Sequence, residues 1–164
     1  RFAFVVIDTD RGDDESRWRG TVKKRIDAIA DVLRSEGMNL HSPGMTVLQV
    51  PSTREGGVRA FESIWNGTDR PTAIIALGVL DAAHRAGVDV PGQVSVSGFD
   101  DIGEAMTVRP GLTTVHQAIT TKGRLAAEFL VDEISREEGR SRREVLETTL
   151  LVRESTGPVA GNPC

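Results

Sequence analysis

Four short apolar runs, each followed by a polar or helix-patterned stretch, set what this chain can fold into. They are Phe2 to Ile7, Thr46 to Val50, Thr72 to Ala76 and Val94 to Ser97. Phe2 to Ile7 is apolar throughout, without the alternation of a half-exposed strand, and reads as a strand buried on both faces of a parallel sheet. The polar stretch Thr9 to Ser16 reads as a loop running into a helix start, with acidic residues where the helix dipole favours them. Trp18, Val22, Ile26, Ile29 and Leu33 then recur at spacings of 4, 4, 3 and 4, one stripe of an amphipathic helix that Gly37 stops. A second stripe holds Val58, Phe61, Ile64 and Trp65 and stops at Asn66-Gly67; a third helix spans Leu77 to Ala86 and ends at Gly87. The resulting order, β-α-β-α-β-α-β, has crossovers long enough for parallel neighbours. Beyond Pro110-Gly111 the pattern predicts a strand from Leu112 to His116, a long helix from Ile119 to about Ser135, and a last strand from Val145 to Val152. The fold class is α/β with a parallel sheet.

Composition narrows the function. The 164 residues hold 38% hydrophobic and 27% charged side chains, enough for one domain's core without the charge excess of a disordered chain. Twenty basic against 24 acidic residues give a net charge of −4, which argues against gripping a phosphate backbone through overall charge. No run of 18 apolar residues exists and the N-terminus has no signal-peptide pattern, so a cytoplasmic domain without a membrane partner is expected. The one cysteine, Cys164, permits no internal disulfide, and His41, His84 and His116 share no metal-ligand spacing, so no metal site is expected. There is no phosphate loop, no dinucleotide glycine fingerprint and no nucleophile elbow. No catalytic residue and no cofactor is therefore expected. An α/β enzyme would have only Asp100-Asp101 to draw on.

Two places stand out at strand ends. Ile75-Ala76 meets the helix beginning Leu77-Gly78 with no intervening loop, where such a loop normally takes roughly 2 to 6 residues. Either the chain bends unusually there or a stretch of the parent protein is missing between Ala76 and Leu77; the second is expected. Asp100 follows a glycine and an aromatic at the carboxyl end of its strand, where ligands sit in open α/β sheets. A carboxylate there either accepts ligand hydroxyls in a partly dry cleft or caps the next turn. Asp101 reads as a turn or cap residue.

Several ordered segments resemble the lactose/galactose repressor (LacI/GalR) family of bacterial transcription regulators. They are Arg-Pro-Thr-Ala-Ile-Ile-Ala (70 to 76), Leu-Gly-Val-Leu-Asp-Ala-Ala-His-Arg-Ala-Gly-Val-Asp-Val-Pro (77 to 91) and Val-Ser-Val-Ser-Gly-Phe-Asp-Asp-Ile (94 to 102), then Pro-Gly-Leu-Thr-Thr-Val-His-Gln (110 to 117) and Leu-Val-Arg-Glu-Ser-Thr (151 to 156). The resemblance implies the Rossmann-like C-terminal subdomain of a bilobal, type I periplasmic-binding-protein-like fold. Residues 1–116 would form that subdomain, 117–144 a crossover and helix of the N-terminal subdomain, and 145–164 the return strand and tail. The family's loop between Ala76 and Leu77, about half a dozen residues long and containing Ser/Asn-Asp, is lacking here. These residues contain no helix-turn-helix headpiece and no first half of the effector domain, so the chain reads as a fragment of such a regulator.

The resemblance also implies an effector site. Asp100 falls on the family's Gly-Phe-Asp-Asp motif, and Arg25, twelve residues before Gly37, matches the effector-binding arginine by register. A guanidinium fork suits paired hydroxyls or a carboxylate. Arg17, three residues before Gly20, is a rival for that role, and either arginine could instead lie on a solvated helix face. Gln117 falls at the crossover between subdomains, to touch ligand, steady the hinge or stand exposed. Ser52 falls where the family often places a stacking aromatic, and so lacks that platform. The helix from Leu77 and the stretch Ala105 to Val108 resemble the family's dimerisation surface, or are ordinary covered elements. The implied function is ligand sensing: a small polar effector, most simply a sugar, binds in an interlobe cleft of a homodimer and alters operator DNA binding by headpieces outside this chain. The alternative is a sugar-binding protein of the transport class.

Overall fold

The computed structural model describes residues 1–7, 20–51, 53–75, 79–134 and 142–159. Its elements are β1 (Phe2–Ile7), α1 (Gly20–Ser35), β2 (Met45–Val50), α2 (Arg54–Trp65), β3 (Ala73–Ile75), α3 (Val79–Arg85), β4 (Ser95–Phe99), α4 (Glu104–Thr107), β5 (Thr113–Gln117), α5 (Ile119–Ile134) and β6 (Thr148–Leu151). The six strands form one sheet in the order β2-β1-β3-β4-β5-β6. The first five pair in parallel, and β6 joins β5 antiparallel, with Val115 opposite Leu150.

Strand order decides which helix covers which face. β1 connects to β2 on one side and β2 returns past β1 to β3, so right-handed crossovers put α1 and α2 on opposite faces. Burial agrees. Ala3, Ile74 and Val96 of the sheet share one cluster with Phe61 and Ile64 of α2 and Val79, Leu80 and Ala83 of α3. Phe4 is one residue on from Ala3 and therefore faces the other way; it is buried outside that cluster, as are Ile26 and Leu33 of α1.

The helices stop where the glycines predict. Gly37 and Gly87 take φ of +72° and +66°, a conformation that costs glycine nothing. The amide after each reaches back to close the turn, Met38 N–H to the Leu33 carbonyl at 2.8 Å and Val88 N–H to that of Ala83 at 2.9 Å. Thr53 caps α2, its Oγ1 accepting from the Gly56 amide at 3.0 Å.

Three differences from the sequence reading have physical causes. The sheet is not wholly parallel, because α5 has no buried residue and so is not a crossover helix packed on the sheet; the chain that leaves by β5 returns reversed in β6. The last strand is Thr148–Leu151 rather than residues 145 to 152, since only these pair with β5. Helix α4 was not foreseen, because four residues are too few for a periodic stripe. The junction at Ala76 to Gly78 lies outside the described residues.

Candidate functional site

The strand order changes direction between β1 and β3, and the carboxyl ends of strands at such a switch point bound the crevice where open α/β sheets take ligands. β4 lies next to β3, and the chain leaving it at Phe99 turns sharply through Asp100 and Asp101. Both have positive φ, +75° and +46°, rare for residues other than glycine but tolerated by aspartate.

Asp100 is where the elements meet. Its Oδ1 receives Nη2 of Arg25, from α1, at 2.9 Å, and also Nε2 of Gln117, at the end of β5. Its Oδ2 accepts no hydrogen bond among the described residues, and the side chain stays 38% exposed. The Arg25 guanidinium carbon sits 3.8 Å from the ring centroid of Phe99, a cation–π contact that helps hold the guanidinium at the strand end. Gln117 presents its amide nitrogen to Asp100 and its oxygen to Lys122 Nζ at 2.8 Å, so the first turn of α5 joins the cluster. The result, among the described residues, is a half-buried chain of alternating donors and acceptors with one carboxylate oxygen that accepts no hydrogen bond. Such an array suits a neutral polyhydroxylated ligand, which both donates and accepts.

Three of the five sequence candidates, Arg25, Asp100 and Gln117, are thus brought together. Arg17 and Ser52 lie outside the described residues. Phe99 and Lys122 were missed. An aromatic directly before an aspartate, or a lysine one turn into a helix, is too common a pattern to single out.

Behind Asp100, Asp101 does more than form the turn. Its side chain is largely buried; Oδ1 receives Arg153 Nη2 at 2.7 Å, and Oδ2 lies 2.9 Å from His116 Nδ1. The hydrogen bond from Arg153 holds the Asp101 carboxyl below its ordinary value of 3.8 against the opposing effect of burial, and His116 adds to the lowering. Asp101 does not cap α4, whose N-cap is Gly103.

A concavity of about 450 Å³ opens between α5 and residues 143–148 and is lined by Gln117, Lys122, Leu125, Phe129, Val145 and Leu146. Gln117 belongs to both places, and stands at the border between the sheet and the standing-off helix.

Comparison with known proteins identifies the family and the fold. The family model described as a periplasmic binding protein-like domain matches residues 1–156. The ribose operon repressor of Haemophilus influenzae is 36% identical over 107 residues, covering 62% of this chain and 32% of its own length. The HTH-type transcriptional repressor PurR of Salmonella paratyphi B is 33% identical over 140 residues, 80% of this chain and 38% of its own length. A solved structure of the transcriptional regulator CelR in complex with cellobiose superposes with a TM-score of 0.79 at 28% identity, over 94% of this chain and 46% of that one. The chain thus spans about a third of the length of these two curated relatives. It belongs to the family of periplasmic binding protein-like domains, in the form carried by LacI-type transcriptional regulators.

Proposed function

We propose that this chain is the C-terminal part of the effector-sensing domain of a LacI-type regulator, whose cleft takes a small polar metabolite, most simply a sugar. The convergence of Arg25, Asp100 and Gln117 on the switch-point side of the sheet carries this reading. The relatives support it: one is named for a ribose operon, and another was solved with cellobiose. Their names favour a regulator over a transport-class binding protein. No helix among the described residues is long and apolar enough to cross a membrane, and a regulator acting on operator DNA works in the cytoplasm.

Residues 117–144 would then belong to the other lobe, with Gln117 at the hinge. Ligand favours one closure state of the lobes, and that preference alters how headpieces outside this chain hold DNA. A differential affinity of a few kcal/mol moves such an equilibrium most of its range. The functional unit is a homodimer meeting through α3 and residues 105–108, where Met106 is exposed beside the buried Ala105.

The test uses the intact protein that carries this chain. Ribose, other pentoses, hexoses, cellobiose and purine bases are screened by thermal shift and by operator retention. A true effector at about 100 times its Kd adds roughly 2.7 kcal/mol, or about 5–10 °C for a domain of ~150–250 residues. Asp100→Asn should weaken that effector by about 10- to 100-fold, the loss of a charged hydrogen bond. A panel in which nothing moves either melting or operator retention would remove the reading. Sedimentation of the same preparation should give a dimer mass, and a monomer mass would exclude the dimer.

A further inference from the structure

Asp100 and Asp101 pose a physical problem. Two adjacent non-glycine residues hold left-handed backbone, a combination that persists only where the surroundings over-determine it. Asp100 does not over-determine itself, because its side chain is partly exposed and its two partners share one oxygen. Asp101 does. Its side chain is 9% exposed with both oxygens engaged, and its amide N–H faces Thr114 Oγ1 at 3.4 Å.

The cation opposite Asp101 is itself anchored. Arg153 Nη1 donates to the Leu112 carbonyl at 2.7 Å, and its backbone N–H donates to Thr113 Oγ1 at 2.9 Å. Two residues on, the fully buried Ser155 ties β4 to β5. Its hydroxyl donates to the Val96 carbonyl at 2.6 Å and accepts from the Thr113 amide at 2.8 Å. The Val96 amide in turn donates to the Ser155 carbonyl at 2.8 Å. Arg153 therefore enters the turn from a firmly anchored backbone, and its side chain, 18% exposed, has a nearly dry ion pair to keep.

We infer, on the effector-site reading given above, that Arg153 is a positioning residue: acting through Asp101, it holds the turn left-handed so that Asp100 faces Arg25 and Gln117. On that reading, the same ion-pair cluster spans two chain crossings between the lobes. His116 immediately precedes Gln117 at the end of β5, and Arg153 follows the end of β6 by two residues. The carboxylate that meets ligand and the two strands that would flex on closure are fastened to one another at Asp101.

The experiment compares Arg153→Met, Arg153→Lys and Asp101→Asn with the wild type in the intact protein, with Ile64→Val as a control for destabilisation elsewhere. The first readout needs no ligand. Native-state hydrogen exchange at residues 99–102 should quicken about tenfold more in Arg153→Met than at β1 and β2, and the crystal structure of that variant should lose the Arg25–Asp100 contact. Arg153→Lys, which keeps the charge but not the second donor, should recover part of the protection; should Arg153→Met not fold, it and Asp101→Asn carry the same comparison. Ile64→Val should leave the turn unchanged. An Arg153→Met structure with Asp100 still left-handed and still against Arg25 overturns the inference. Titration with ribose and cellobiose separates the two readings. If neither sugar binds the wild type, the sugar assignment fails, while exchange and structure still decide the positioning role. If one binds, Arg153→Met should weaken it about tenfold and Ile64→Val should not; equal weakening in both overturns the positioning role.

Discussion

Asp100 and Asp101 are chemically identical neighbours with opposite environments, and on the proposed reading that difference is what makes a usable site. Among the described residues, Asp100 has one oxygen without a hydrogen bond at the strand end, while Asp101 engages both with Arg153 and His116. Because Arg153 lowers the Asp101 pKa in the folded state, ionised Asp101 contributes stability above the unfolded value near 3.8, and that stability is lost as pH falls through the depressed folded value. Asp81, lowered in the same sense by Arg54 with burial opposing, adds to the same acid limb. Urea unfolding of wild type and Asp101→Asn should therefore differ by a plateau above about pH 5. The gap should close on acidification; a gap that stays constant down to pH 2 would mean that the Arg153 pair contributes nothing through its charge. At this scale the sequence was informative where residue type and position coincided. Asp100 stood at a strand's carboxyl end, and Arg25 and Gln117 stood at the family's register. Arg153 was illegible as a partner of the turn because Asp101 lies 52 positions away, across β5, a long helix and a reversed strand that spacing cannot register.

Elements were legible wherever periodicity had room to show. The apolar runs gave β1 to β4 within a residue or two, and the stripe Val22, Ile26, Ile29, Leu33 lies within α1, with Ile26 and Leu33 buried. What could not be read was direction and close approach, as in the reversed β6 and the entry into α2. At that entry Gly56 packs so tightly beneath the end of β2 that an added Cβ would stand 2.3 Å from the Pro51 carbonyl oxygen. Backbone cannot retreat as a flexible side chain can. Gly56→Ala should thus destabilise the protein by about 1–3 kcal/mol from overpacking, even though alanine is by roughly 1 kcal/mol the better helix former. Calorimetry decides the sign. A raised melting temperature would show that the β2–α2 corner yields, and that helix propensity outweighs contact there.

For the whole molecule, the decisive fact is the contrast between the two ends of the sheet. Around β1, β3 and β4 the core is closed by helices on both faces, whereas α5 has no buried residue and exposes Leu130, Val131 and Ile134, with Leu150 of β6 and Val152 just beyond it also exposed. Apolar surface of this kind marks a place where something else packs, and on the proposed reading the other lobe fills it. The same lobe would supply the opposite wall of the cleft above Asp100, so cover for α5 and tight effector binding should come and go together. Produced alone, these 164 residues should fold around β1–β5, bind a hydrophobic dye, aggregate beyond a dimer at micromolar concentration, and bind no sugar of the panel tightly; the intact protein should fold without binding the dye, stay at its dimer mass and bind one of the sugars. Dye fluorescence, sedimentation and calorimetric titration on both preparations read this directly. Tight sugar binding by the isolated chain would mean that Arg25, Asp100 and Gln117 form a complete site on one lobe, and closure between lobes would then have no part in recognition.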